Sequence, residues 1–273
     1  MATGILSITN TSFPDGTVID GAAHITNFND ILDYINNRND GTDEWKVCNV
    51  TATTTAAMTV SGNQATTLLQ INNTATDGDS VLQFALSGTV GIAMGIDDGD
   101  SDAFKIGTTA IGTNTSFKID TTGAITKPLQ PSFLVTAPVN TANVTGDGTA
   151  FTVEFDAEIY DQNADFNTGT FTFTAPVAGR YLFSATVLTQ GSVAATHSSG
   201  QIQLVTSNRT YQGTRFDQVD LGGSGFDTWQ VTAVADMDAS DTAHVTITVA
   251  GGTKVVELFD GAVNNFFSGS LIN

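Results

Sequence analysis

Residues 151–187 read FTVEFDAEIYDQNADFNTGTFTFTAPVAGRYLFSATV, and the spacing of their apolar residues decides the fold class. Phe151, Val153 and Phe155 alternate with their neighbours, as do Phe171 and Phe173, and then Tyr181 and Phe183. A period of two puts every second side chain on one face, as a strand buried on one side requires. Ala175-Pro176-Val177-Ala178-Gly179 separates the last two runs. There Pro fixes φ and Gly accepts the positive φ of a tight turn. Strand, polar loop, strand, turn and aromatic strand predict an antiparallel all-β sandwich. Working outward, Trp229–Ala235 and His244–Val249 alternate in the same way, with Asp236–Asp241 as an acidic turn between them. Upstream, Pro128-Leu129-Gln130-Pro131 biases Lys127 towards extended backbone and marks a linker.

Two further motifs carry a resemblance. Gly169-Thr170-Phe171-Thr172-Phe173-Thr174-Ala175-Pro176-Val177-Ala178-Gly179-Arg180-Tyr181-Leu182-Phe183 is similar to G-x-F-x-x-P-x-x-G-x-Y-x-F, with an insertion before the proline. Phe266-Phe267-Ser268-Gly269-Ser270-Leu271-Ile272 is similar to a closing F-S-G-x-L strand. Both motifs resemble the C1q/TNF-type jelly roll, and the resemblance covers Phe133 to Asn273. It implies a trimer whose interface is apolar and formed by the inner sheets. By that resemblance Tyr181, Phe183, Phe266 and Phe267 are candidates for the trimer axis or for the monomer's own core. Sandwich cores use the same alternation, so the residues leave both placements open.

The middle of the chain, residues 44–127, is low in charge and rich in Thr, Gly and Ala. Short strand-like runs recur at Leu68–Ile71, Val81–Leu86, Gly91–Ile96, Phe104–Ile106, Phe117–Asp120 and Ala124–Thr126. So few large apolar residues give a single chain a thin core, which predicts strands that bury surface against sister chains. Gly95-Ile96-Asp97, Phe104-Lys105-Ile106, Ile119-Asp120 and Gly123-Ala124-Ile125-Thr126 resemble the G-x-D, D-x-F-x-I and I-D-x-x-G-x-(I/V)-T pattern of bacteriophage fibre shafts. In residues 1–43, Ile25, Phe28, Ile31, Leu32 and Ile35 fall on one face of a short helix that Asn27 or Asn29 could cap. Such a helix is unstable alone and needs a partner. Pro14 to Asn36 resembles the N-terminal attachment segments of phage tail fibres, which implies virion docking through Phe28, Ile31, Leu32 and Ile35.

Composition excludes several classes. Nine Lys plus Arg against 28 Asp plus Glu leave the 273-residue chain at −19, which repels nucleic acid and anionic membranes. One cysteine, Cys48, permits no intrachain disulfide. Met1 to Asn10 has neither a basic start nor an apolar core, which predicts no signal peptide and folding in a cytoplasm. No run reaches the roughly 20 apolar residues of a membrane helix. His24, His197 and His244 lack zinc spacing, and Gly222-Gly223-Ser224-Gly225-Phe226 is not a nucleophile elbow. No catalytic residue, cofactor or metal ligand is therefore expected. The acidic run Asp97–Asp102 lacks the glycine and glutamate of a calcium loop, so a solvated hairpin is expected and calcium shared around a threefold axis is the alternative.

The fold class expected is mainly β: a short N-terminal helix and attachment segment (1–43), a slender trimeric β shaft (44–127) and a C1q/TNF-like antiparallel jelly-roll head (128–273). The function expected is that of a non-enzymatic phage fibre or spike in the virion, a homotrimer contacting other virion proteins and adhering to host-surface glycan. Tyr211, Arg215, Phe216, Phe226 and Trp229 are the candidate glycan-stacking residues. The alternatives are a capsid or neck decoration fibre, a bacterial C1q-like adhesin and a glycan-degrading tailspike.

Overall fold

Threonine, valine, isoleucine and phenylalanine at a period of two favour extended backbone, because branched and aromatic side chains fit a pleated surface. The computed structural model describes residues 69–220, 225–259, 261 and 263–273. Among these residues it is built of strands, with two short 3-10 turns and no α-helix. The expected helix and its residues Phe28, Ile31, Leu32 and Ile35 lie outside the described residues.

Residues 70–273 form one compact unit. Its first part is a five-stranded antiparallel meander of β1 (Ser80–Leu86), β2 (Thr89–Asp97), β3 (Ala103–Gly107), β4 (Thr115–Ile119) and β5 (Ile125–Thr126). Ser87 and Gly88, both at positive φ, make the two-residue hairpin turn whose twist suits paired strands. Leu69 to Ile71, expected to be extended, join no sheet and are exposed.

The rest is a two-sheet jelly roll. One sheet has seven strands. β7 (Thr141–Thr145), β17 (Val256–Leu258), β12 (Gly179–Gln190), β18 (Phe266–Leu271), β6 (Ser132–Thr136) and β9 (Ala157–Asp161) lie in that order, and β15 (Phe226–Met237) also pairs with β12. The other has six. It runs β10 (Phe166–Asn167), β11 (Thr172–Thr174), β16 (Thr242–Ala250), β13 (Ser199–Thr206) and β14 (Thr210–Asp217), with β8 (Phe151–Thr152) also on β16. Within each sheet, strands distant in sequence lie side by side, so loops at both ends cross between the sheets.

Phe133 is the hub of the core. Its ring lies 5.0 Å from Phe173, 5.1 Å from Phe166 and 5.1 Å from Phe267. Tyr181 and Phe183 complete the cluster, and the Tyr181 hydroxyl donates to the Val177 carbonyl at 2.8 Å, tying the Pro/Gly turn to the core. The glycine of the closing strand has a packing reason. Gly269 pairs with Phe183 on one side and Phe133 on the other, and a Cβ there would lie 2.7 Å and 2.5 Å from their rings.

Two expectations for the opening stretch fail locally. Residues 151–155 were expected to form one strand, but pairing stops after Thr152. Val153 still donates to Val245 at 2.9 Å, then Phe155 bonds back to Val153 at 3.0 Å, and both side chains remain fully buried. Phe171 does not lie in a strand. Asn167 accepts from Gly169 and Thr170, and the chain leaves that turn with Phe171 at φ 57° and half-buried.

The five-stranded sheet has an ionic centre. Lys105, with 9% of its side chain exposed, contacts Asp97 and Asp100, each at 2.7 Å. Lys118 meets Asp100 at the same distance. Hydrogen bonds from Lys105, then Lys118, pull the Asp100 carboxyl down to about 2. For Lys105, burial works downward, but the bonds to Asp100 and Asp97 outweigh it and hold the ammonium above its ordinary range.

Two outcomes are expected. Gly269→Ala forces the Phe133 and Phe183 rings apart and should cost about 1–3 kcal/mol in urea unfolding, as overpacked cores do. A midpoint within error of the wild type would refute the packing assignment. The folded pKa of Asp100 lies below the unfolded value of 3.8, so its stabilisation is present above 3.8 and lost as pH falls towards about 2. Amide protection in β3 and β4 should fall across that window, and Asp100→Asn should lack this acid step.

Candidate assembly and binding surfaces

Successive residues of a strand point to opposite faces, so Phe266 and Phe267 cannot share one. The structure divides the four aromatic candidates on this rule. Tyr181, Phe183 and Phe267 are 0–1% exposed in the core, and only Phe266 faces outward from the seven-stranded sheet. A substitution at Tyr181 therefore tests the fold rather than an assembly surface.

That outward face is organised by register. Val234, Leu182, Ser270 and Ser132 form one row, and Thr232, Ser184, Ser268, Leu134 and Tyr160 the next. A third holds Gln230, Thr186, Phe266 and Thr136. Leu182 and Val234 are 40% and 49% exposed. Ser184 and Thr232 satisfy each other's hydroxyls at 3.0 Å. From Leu182 to Gln190, and across the outward positions of β15 between Thr228 and Val234, there is no Lys, Arg, Asp or Glu. The same holds for the outward residues of β18 and β6. An uncharged patch this wide, rimmed by Arg180, Asp236 and Glu257, is unusual on a chain of −19 and has the composition of an interface centre.

The five-stranded sheet is more extreme. One row reads Ser80, Ile96, Phe104, Ile119, Ile125; the next Leu82, Met94, Ile106, Phe117; the third Phe84, Ile92. Apart from Ser80, every member is apolar. Phe84 is 53% exposed and Ile125 60%. Leaving half of such a side chain in water forgoes roughly 1 kcal/mol. The opposite face, by contrast, is covered at its centre by the chain itself: Ala93 and Ala103 are buried, Lys105 sits between its aspartates, and Gly112 of the 108–114 loop abuts the Asp97 carboxylate, while Gln83 and Thr126 stay exposed at the edges. The sheet thus pairs the charges of its polar side and leaves its apolar one open. The thin core already predicted burial against sister chains; which side of the sheet the apolar residues share is set by the pairing of β1 to β5.

The expected glycan-stacking group does not come together. Trp229 is fully buried, its indole N–H donating to Thr189 at 2.8 Å, and so is no part of any open surface. Its ring lies against Gly200, where a Cβ would not fit. Phe216 packs 4.9 Å from Trp229, and Tyr211 lies half-buried opposite Leu204, with burial pushing its phenol up. The two rings are five residues apart, and the β-bulge between Gln212 and Arg215 brings both to the core side and leaves Arg215 outward. Phe226 is open at 41% and stands edge-to-face with Phe259 at 5.0 Å, a partner the sequence reading missed. Arg215 and the Phe226–Phe259 pair are what remains exposed of the expected set.

The acidic hairpin is likewise divided. Asp97 and Asp100 are engaged by lysine, so Asp100 is not free to act as the central ligand of a calcium loop. Burial, then Asp102, Asp77 and Asp79, push the Asp98 carboxyl up. Among the described residues no three His, Cys, Asp or Glu side chains converge as a metal site. His197 is buried, with Nδ1 facing the Val193 N–H at 3.2 Å, and His244 is pushed down by burial; the two lie in separate surroundings.

Comparison with known proteins addresses the head. Solved structures similar to the chain include the globular domain of zebrafish complement 1qA (19% identity, TM-score 0.39, covering 53% of this chain and 98% of that one). Murine APRIL at pH 8.5 is another (12% identity, TM-score 0.37, covering 52% and 99%). No curated protein sequence matches the chain. A sequence profile of the C1q domain matches residues 135–272, half of the chain, from the end of β6 through β18. The chain belongs to the C1q domain family.

Proposed function

We propose that the chain is a non-enzymatic structural subunit of a bacteriophage particle, a homotrimeric fibre or spike. Residues 1–43 dock it on the virion through Phe28, Ile31, Leu32 and Ile35, residues 44–127 form the shaft, and residues 128–273 form an adhesive head. The observation that carries this reading is the uncharged central patch on the outward face of the seven-stranded sheet in a chain of −19. C1q/TNF-like domains are often oligomeric and involved in binding, and this face gives three heads a surface on which to meet. The fibre-like pattern at Gly95 to Thr126 supports a shaft leading into that head. Three weak contacts on one rigid head raise avidity on the order of 10²–10⁴. The high negative charge keeps assembled particles apart. Arg215 and the Phe226–Phe259 pair are the residues through which the head would contact host-surface glycan.

A second reading, a capsid or neck decoration fibre with no receptor role, is favoured by the burial of Trp229 and the inward packing of Phe216 and Tyr211. Gold-labelled antibody against the head, imaged on intact particles, separates the two. Label at the tail tip, with the isolated protein competing for host adsorption, is the expected result. Label over the capsid or ringed at the neck would establish decoration, and particles without label would overturn the virion assignment.

A further inference from the structure

We infer that the apolar face of the five-stranded sheet is an interface between copies of this chain, each copy turning that face to a shared axis and keeping its lysine–aspartate face outside. The inference deepens the fibre reading and rests on it for the threefold count. The identity of the face rests on the sheet alone.

Three observations select a second copy as the occupant. The face carries no charge, and apart from Ser80 no polar side chain, so a complementary surface must be equally apolar and uncharged. This sheet supplies such a surface in every copy. Next, the chain's own loop 108–114 and its ion pairs already occupy the centre of the polar side, around Asp97 and Lys105. An isolated sheet would do the reverse and turn its apolar side to whatever core it had. Last, the stretch that leads directly into the sheet offers no matching strand to lay over the face. Residues 44–68 spread Trp45, Val47, Val50, Met58, Val60 and Leu68 among threonine and alanine, without a continuous alternating run of the length of β2. The uncharged face of the head lies in the same compact unit, so one set of sister chains can satisfy both.

The test uses the full chain with Cys48→Ser, so that each added cysteine is the only one. Ile96→Cys and Ile125→Cys place a thiol on the apolar face, and Gln83→Cys places one on the opposite face. After reaction with a short bismaleimide, a linked pair can only join two chains. Ile96→Cys and Ile125→Cys should run as linked dimers approaching two thirds of the chains, because a threefold assembly joins at most two of its three thiols. Gln83→Cys should stay mostly single. Equal linking from both faces would overturn the inference. So would apolar-face thiols that react freely without linking, or thiols shielded yet unlinked, which would place residues 1–68 over the face. The outcome is independent of particle labelling: linked chains with no label on particles would sink the virion reading and leave this interface standing.

Discussion

A strand cannot turn two successive side chains to the same side, and that constraint, relaxed only at bulges, sorts the apolar residues of the described strands. In the head it sends Tyr181, Phe183 and Phe267 inward and leaves Phe266, Leu182 and Val234 outside. In the smaller sheet it gathers the few large side chains onto one face and the lysine–aspartate cluster onto the other. A thin apolar complement becomes a dense surface once it is placed on a single side.

The sandwich holds its outer faces in register because its interior is packed and its polar groups are paired. Phe133 touches aromatic rings from both sheets, and Gly269 makes the room between Phe133 and Phe183 that lets them do so. Trp229 and Tyr181 are buried with their polar atoms bonded, to Thr189 and Val177. Asn265 accepts from the Leu188 N–H and donates to the Phe259 carbonyl, fixing the end of β12 against the loop that carries the Phe226–Phe259 pair. A rigid platform of this kind lets weak contacts act together, which is what an adhesive head requires.

Much of this was legible in the sequence, for a physical reason: alternation and turn chemistry are local. The Pro/Gly turn before Tyr181, the long strands at Trp229 and His244 and the closing strand at Phe266 could all be read from neighbours. What could not be read depended on distant pairing. Whether an aromatic on β14 faces inward is set by its register with Leu204 and Gly200, so Tyr211 and Phe216 looked available when they are not. Phe259 meets Phe226 across 33 residues and left no local trace. The open face of the meander was hidden because counting large residues says nothing about how they are arranged.

The central claim is that the uncharged faces exist to be covered by sister chains. The most direct test is sedimentation equilibrium of the untagged full chain at physiological salt. The account predicts a species of three times the 28.4 kDa chain mass, unchanged on dilution into the nanomolar range. A monodisperse species of 28.4 kDa would contradict it.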